Sequence, residues 1–193
     1  MDKRTDLKQK ITDAAGIIFD KLGFRKASMD EIAMAVKKKK SSIYYYFTSK
    51  EEVFSAVVLQ EAKVFRTTIM QAVEKETNPQ EKLKAFVLTR MQIIDKLGNF
   101  NKALKDKRLM HLEFVERLKR LYDKEEVRLF KNILTEGVNS GFFQIYDIDL
   151  AATAIITSMR GMESTFLNSK NDPELDKRID GVIYTILYGI VKR

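Results

Sequence analysis

Apolar residues recur along this chain at helical spacing almost from end to end, and only two prolines and eight glycines interrupt them. That pattern predicts an all-α fold of about nine helices. The first runs from about residue 5 to residue 22, with Leu7, Ile11, Ala14, Ile18 and Leu22 on one face and Gly23 as a left-handed stop. Ser28 opens the second, and Glu31 three positions on completes a capping box that satisfies orphan amides at both positions. The third spans roughly residues 40 to 47. Ser49 and Glu52 repeat the cap before a long fourth helix. Its stripe of Val53, Phe54, Val57, Val58, Ala62, Phe65 and Ile69 is broken only by Glu61, and it ends near residue 76. Asn78-Pro79 with Glu81 begins a fifth helix, which carries Leu83, Phe86, Val87, Met91 and Ile94 to a stop at Gly98. A polar piece from residue 99 to about 108 follows, then a long helix from about 109 to 138, closed by Asn139-Ser140-Gly141. Residues 149 to 167 and 174 to 191 form the last two. Gly161, Gly181 and Gly189 lie inside them, each costing about 0.8–1 kcal/mol relative to alanine. Close approach of another helix, as in a subunit interface, is one use for that cost; ordinary intrachain packing is the other.

Residues 28 to 53 are the most informative. Two short helices joined by a tight turn, with a third helix starting at once, are the order of a helix-turn-helix, whose second helix enters the major groove of DNA. Charge supports this. The formal net charge is +8, and residues 1 to 50 hold 12 Lys+Arg against 6 Asp+Glu, so most of the excess sits in the first quarter of the chain. Such a field attracts phosphates, each of which releases counterions when neutralised. An anionic membrane surface is the competing partner, but it asks for a basic amphipathic helix with aromatics facing lipid. Lys37, Lys38, Lys39 and Lys40 fall at a predicted turn instead. No apolar run approaches ~18 residues, so no membrane span is expected, and no signal peptide follows the basic start. With zero cysteines and one histidine, His111, neither a disulfide nor a multi-histidine metal centre can form, and a reducing, cytoplasmic setting is expected. No nucleophile–base pair or glycine-rich phosphate loop is visible, so no enzymatic activity, metal or cofactor is expected.

Within the motif each residue type has a task. Ala33 is small where two helices must cross, and Ile32 and Val36 anchor the second helix to the core. Ser41 and Ser42 let the backbone approach base edges and phosphates, while Lys38, Lys39 and Lys40 add charge. Ile43 and Phe47, four apart, face inward. Tyr44 and Tyr45 then face the groove, where a phenol bonds a phosphate or stacks on a sugar or thymine methyl. Lys50, just inside the fourth helix, is placed to hold a backbone phosphate, with Ser28 and Met29 near the opposite strand. A core aromatic cluster is the plainer reading of Tyr44, Tyr45 and Tyr46, but helical geometry forbids all three pointing inward.

Over about residues 7 to 54 the chain resembles the DNA-binding domain of the tetracycline-repressor (TetR/AcrR) family of bacterial regulators. Ala14, Phe19, Gly23, Ile32, Ala33, Ser42, Tyr44, Tyr45, Phe47, Lys50 and Glu51 agree with its pattern. Glu136-Gly137, Gly141-Phe142-Phe143, Asp149 and Ala151 are similar to the family's junction before its dimer helices. One departure stands out: the family's turn carries glycine and then an apolar residue where this chain has Lys37 and Lys38. A lysine in the left-handed conformation costs roughly 1–2 kcal/mol. Either the turn is reshaped or the domain is locally less stable, and the stem of Lys38 can cover the apolar gap.

The resemblance implies a helix-turn-helix domain over residues 1–50, an effector-binding and dimerisation bundle over residues 51–193, and a linking helix at about 49–76. It implies an effector pocket. Phe86, Met91, Phe100, Met110, Phe114, Phe130, Met159, Met162 and Phe166 are candidates to line it, although each serves equally as core. His111, with Glu113, would anchor a polar head group or lie at the surface. It also implies a dimer face on the last two helices, with candidates Ile155, Gly161, Ile179, Val182, Ile183, Ile186, Leu187 and Ile190. Arg160 and Glu163, three apart, form a pair at the pocket or dimer edge, or only at the surface. The implied function is a homodimeric repressor that binds operator DNA and is released by a small apolar or amphipathic ligand. The alternative is a constitutive DNA binder with a filled C-terminal core.

Overall fold

In the computed structural model, residues 3–94, 96–109, 112–167 and 174–190 are described. They form α1 (Lys3–Lys26), α2 (Met29–Ala35), α3 (Lys40–Tyr44), α4 (Lys50–Glu74), α5 (Pro79–Ile94), α6 (Gly98–Lys105), α7 (Glu113–Asn139), α8 (Ile148–Leu167) and α9 (Leu175–Ile190), with a 3-10 turn at Lys107–Leu109. Among the described residues there is no strand, and the chain is all-α. It divides into two compact units, Met1–Val64 with Leu97–Lys119, and Phe65–Lys96 with Arg120–Arg193. This differs from a cut at residue 50, because the first half of α4, all of α6 and the start of α7 belong with the N-terminal helices.

The first unit is built on phenylalanine. Phe19 and Phe24 of α1 meet Phe54 of α4 at ring-centroid distances of 5.1 and 4.9 Å, and Phe114 of α7 meets Phe54 at 5.9 Å. This clustering rotates α1 from its predicted face. Ile11, Ala15 and Phe19 are the buried line, whereas Leu22 is exposed. Gly23 breaks the helix as expected, but with φ 77° and ψ 158° it occupies the extended positive-φ region open to glycine rather than the left-handed α region.

The predicted polar piece after residue 98 is instead α6, and the reason lies in the one polar residue of the α4 stripe. Leu97, at the N-cap of α6, has no side-chain oxygen to offer the first amides. Glu61 supplies it from α4: its carboxylate accepts from the Phe100 amide at 2.8 Å and from Asn99 Nδ2 at 2.7 Å. Asn99 Nδ2 also donates to the Gly16 carbonyl of α1 at 3.0 Å. Phe100 and Ala103 are then buried on the inner face of α6. Gly98 begins this helix rather than ending α5, and a Cβ there would sit 2.2 Å from Asp20 Oδ1.

In the second unit Leu83, Phe86, Val87, Met91 and Ile94 of α5 are buried as their spacing predicts. Phe86 packs on Phe130 of α7 with centroids 5.0 Å apart. Asn78 caps α5, accepting from the Gln80 amide at 2.8 Å. After α7, Gly141 takes a φ of 76°, and Gly137 leaves room for Phe143, whose ring would lie 2.0 Å from an added Cβ.

Removing Glu61 leaves the Phe100 amide without its carboxylate partner. Glu61→Ala is therefore expected to cost about 1–3 kcal/mol in urea denaturation, and Glu61→Gln, which keeps one acceptor, distinctly less. Equal losses in the two variants would contradict the capping role.

Candidate nucleic-acid interface and effector cavity

The reading motif is assembled by local bonds. Ser28 accepts from the Glu31 amide at 3.2 Å and its own amide donates to Glu31 Oε2 at 2.8 Å, closing the capping box of α2. At the other end the Lys37 amide donates to the Met34 carbonyl at 3.1 Å and the Lys38 amide to the Ala33 carbonyl at 3.0 Å. That pair of bonds is the Schellman closure, which needs a left-handed residue just past the cap. Lys37 is that residue, with φ 53°. The turn is thus kept rather than reshaped, and Lys37 takes up the strain. Lys38 is exposed rather than laid over the core.

Ala33 and Ile32 are buried at the crossing, and Val36 is half-buried. Helix α3 has only five residues. Ile43 and Phe47 are 0% and 1% exposed, while Tyr44 and Tyr45 are 45% and 66% exposed. Tyr46 is half-buried and stacks edge-on against Tyr45. Lys39, Lys40 and Ser41 are exposed and Ser42 is half-buried. One expected contact residue is withdrawn from the surface. Met29 is 6% exposed and belongs to the core. The Lys50 ammonium is directed back to the carbonyls of Arg25 and Ala27. Lys40 Nζ lies 2.7 Å from Asp30 Oδ2, and that hydrogen bond holds its ammonium protonated above the usual lysine range. At the start of α4, Ser49 accepts from the Glu52 amide at 3.2 Å. The Glu52 carboxylate reaches the Thr48 amide and hydroxyl, which lower its pKa.

The second unit contains a cavity of about 270 Å³ bounded by α4, α5 and α7. Phe65, Ile69, Met70, Phe86 and Leu129 form its apolar side; Arg66, Tyr122, Glu125, Glu126, Arg128 and Asn132 form its polar side. Burial, reinforced by the Glu125 charge, raises the Tyr122 pKa. Among the described residues, Phe86 is the predicted lining residue found here. Met91, Phe130 and Met159 are core. Phe100 and Phe114 belong to the first unit. Met110 and His111 lie outside the described residues, as do the side chains of Met162 and Phe166. The charged lining was missed because Arg66, Glu125 and Arg128 read as solvent faces of helices.

Beside the cavity, Glu126 organises a partly buried ion network. One of its oxygens takes Arg90 of α5, which is 3% exposed, and the other takes Arg160 of α8, with Arg160 Nε at 3.1 Å. Arg160 Nη1 also lies 2.8 Å from Asp123. Arg160 therefore pairs across to α7; the side chain of Glu163 is outside the described residues.

Of the predicted dimer-face residues, Ile155 and Val182 are half-buried, Gly161 is exposed and Ile183 is buried. The side chains of Ile179, Ile186, Leu187 and Ile190 lie outside the described residues. Among the described residues, a Cβ added at Gly161 or Gly181 would meet nothing within 4 Å. Tyr184 and Tyr188 are exposed on α9 with ring centroids 3.8 Å apart. Among the described residues no helix is long and apolar enough to cross a membrane.

Residues 11–57 match the family model described as bacterial regulatory proteins, tetR family. Among solved structures, a transcriptional regulator from Cytophaga hutchinsonii is 25% identical, with 99% of this chain and 100% of that chain covered and a TM-score of 0.79. A TetR/AcrR-family regulator from Thermobifida fusca is 22% identical over 95% of this chain and 98% of its own, with a TM-score of 0.74. The ketosteroid regulator KstR2 of Mycobacterium tuberculosis is 18% identical over 97% and 96%, with a TM-score of 0.63. No curated protein matches by sequence. The segment over residues 11–57 is thus similar to the tetR family of bacterial regulatory proteins, with the helix-turn-helix of α2 and α3 as its DNA-binding element, and the whole chain has the fold of these solved regulators.

Two substitutions test these geometries. Lys37→Gly relieves the left-handed strain but loosens the unfolded chain, so a net gain of about 0.5–1 kcal/mol is expected, read as a higher thermal midpoint. Glu126→Ala removes a carboxylate shared by Arg90 and Arg160, of which Arg160 keeps Asp123, and is expected to cost about 2–3 kcal/mol in denaturant titration.

Proposed function

We propose that the protein is a homodimeric repressor that leaves its operator when a small amphipathic molecule enters the cavity of the second unit. The observation that carries the DNA half of this reading is the split of α3, with Ile43 and Phe47 inward and Tyr44 and Tyr45 outward. On this reading Tyr44, Tyr45, Ser41 and Ser42 meet base edges, sugars and phosphates, and Ser28, Lys38, Lys39 and Lys40 meet backbone. The open space at Gly161 and Gly181, together with exposed Tyr184 and Tyr188, supports α8 and α9 as the dimer face. A pair of chains then presents two reading helices about 34–36 Å apart, one turn of duplex.

The cavity favours a ligand-responsive protein over a constitutive binder, which needs no such space. Its volume is close to the lower end of the ~300–1,000 Å³ usual for small-molecule sites. Apolar residues line one side and charged residues the other, which suits a ligand with an apolar body and a polar head. By linkage, a ligand that weakens operator binding is itself weakened by the operator to the same extent.

Gel retardation over a salt series, with a duplex selected from a random pool, tests the reading. With about 8–12 phosphates neutralised per dimer, log affinity should fall against log salt with a slope of roughly −7 to −11. Tyr44→Ala and Tyr45→Ala should weaken binding while the dimer mass stays unchanged. A slope near zero removes the DNA hypothesis; dissociated mutants contradict the division of labour between the helices.

A further inference from the structure

We propose that the cavity of the second unit takes one class of ligand: a small aliphatic carboxylate, with its chain on the apolar floor and its head between Arg66 and Arg128 at the entrance. The inference rests on the reading of this cavity as an effector site, and it names the chemistry of the effector.

Polarity is graded from floor to entrance. Phe65, Ile69 and Phe86 are buried and form the floor, with Met70 and Leu129 half-buried beside them. Arg66 and Arg128 line the same space but are exposed. Helical spacing produces this arrangement. On α7, Glu125, Arg128, Leu129 and Asn132 recur three and four apart and share one face. On α4, Arg66 is the neighbour of Phe65 and lies three positions before Ile69. A ligand that enters chain first therefore meets apolar side chains within and guanidiniums at its head.

The charges select the sign of that head. Glu126 is the less exposed of the two lining carboxylates, and its oxygens are taken by Arg90 and Arg160. Glu125 holds Arg66 only loosely, at 3.5 Å. Arg128 makes no ion pair among the described residues. With their partners included, Arg66, Arg90, Arg128 and Arg160 stand against Asp123, Glu125 and Glu126. Tyr122 adds no negative charge, because burial raises its pKa and keeps the phenol protonated. A cation would meet this positive excess and would have to part Arg66 from Glu125. A carboxylate relieves the excess, and its two oxygens match the fork of a guanidinium. The space, about 270 Å³, falls just short of the ~300 Å³ at which drug-sized sites begin, so the chain is of medium length.

Calorimetric titration with octanoate, octanol and octylammonium tests the sign of the head at one chain length. Octanoate is expected to bind most tightly. Arg128→Gln should weaken octanoate about tenfold, the loss of one charge-assisted bond, and leave octanol unchanged. Glu125→Gln removes the competitor for Arg66 and should tighten octanoate while weakening octylammonium. Thermal midpoints of the unliganded variants should stay close to that of the wild type, since both are substituted at the entrance. Octanol or octylammonium binding as tightly as octanoate would overturn the inference. So would octanoate binding that ignores Arg128→Gln, or no binding of any of the three. Octanol binding with octanoate excluded would remove the anion and leave an effector cavity. Octanoate binding that leaves affinity for the selected duplex unchanged would remove the release mechanism and leave the ligand class standing.

Discussion

A five-residue helix cannot hold itself together, and that constraint organises the first unit. Isolated helices shorter than about 12–15 residues are marginal in water, so α3 exists because tertiary packing makes it exist. Ile43 within α3 and Phe47 just beyond it, whose amide still donates to the Ile43 carbonyl at 3.0 Å, are the anchors, and both are withdrawn from solvent. Fixing two positions four apart fixes the rotation of the whole helix. Tyr44, Tyr45 and Ser41 are then turned outward by geometry, not by any preference of their own. The Schellman closure at Lys37 and the capping box at Ser28 set the length and angle of α2 so that these anchors arrive in place.

Each unit also contains a carboxylate where an apolar residue would be the default. Glu61 interrupts the stripe of α4 because α6 has no cap of its own. Glu126 sits between Arg90 and Arg160 and ties α5, α7 and α8 to one point. A shared, partly buried carboxylate is a poor source of net stability but a strict one of geometry, since several donors converge on its two oxygens. Beside Glu126 lies the cavity, so a molecule bound there would touch a helix junction whose alternatives are costly.

The local features were legible in the chain because they are encoded within a few residues. The capping box Ser28–Glu31, the cap at Asn78, the stripe of α5 and the inward pair Ile43–Phe47 all depend on near neighbours. What was not legible depends on distant ones. Helix α6 reads as a polar loop until Glu61, 38 positions away from Asn99, is brought to its end. Leu22 loses its place on α1 to Phe19 because Phe54 selects the ring. Lys50 matches a phosphate-binding pattern, and that pattern does not foretell the bonds from its ammonium to the carbonyls of Arg25 and Ala27, 25 and 23 positions away. A cavity is the hardest case, because it is defined by what fails to fill it: large apolar residues such as Met91 and Phe130 fill the core, and charged ones such as Arg66 and Glu125 line the space.

The account stands on the outward face of α3 lying in the major groove of DNA. Replacing Tyr45 with a photo-crosslinking phenylalanine analogue and irradiating the protein on a selected duplex tests this directly. Crosslinks are predicted at two sites per duplex, separated by roughly 10–10.5 base pairs or a multiple of that spacing. Crosslinks confined to protein, or scattered along the duplex with no preferred separation, would contradict it.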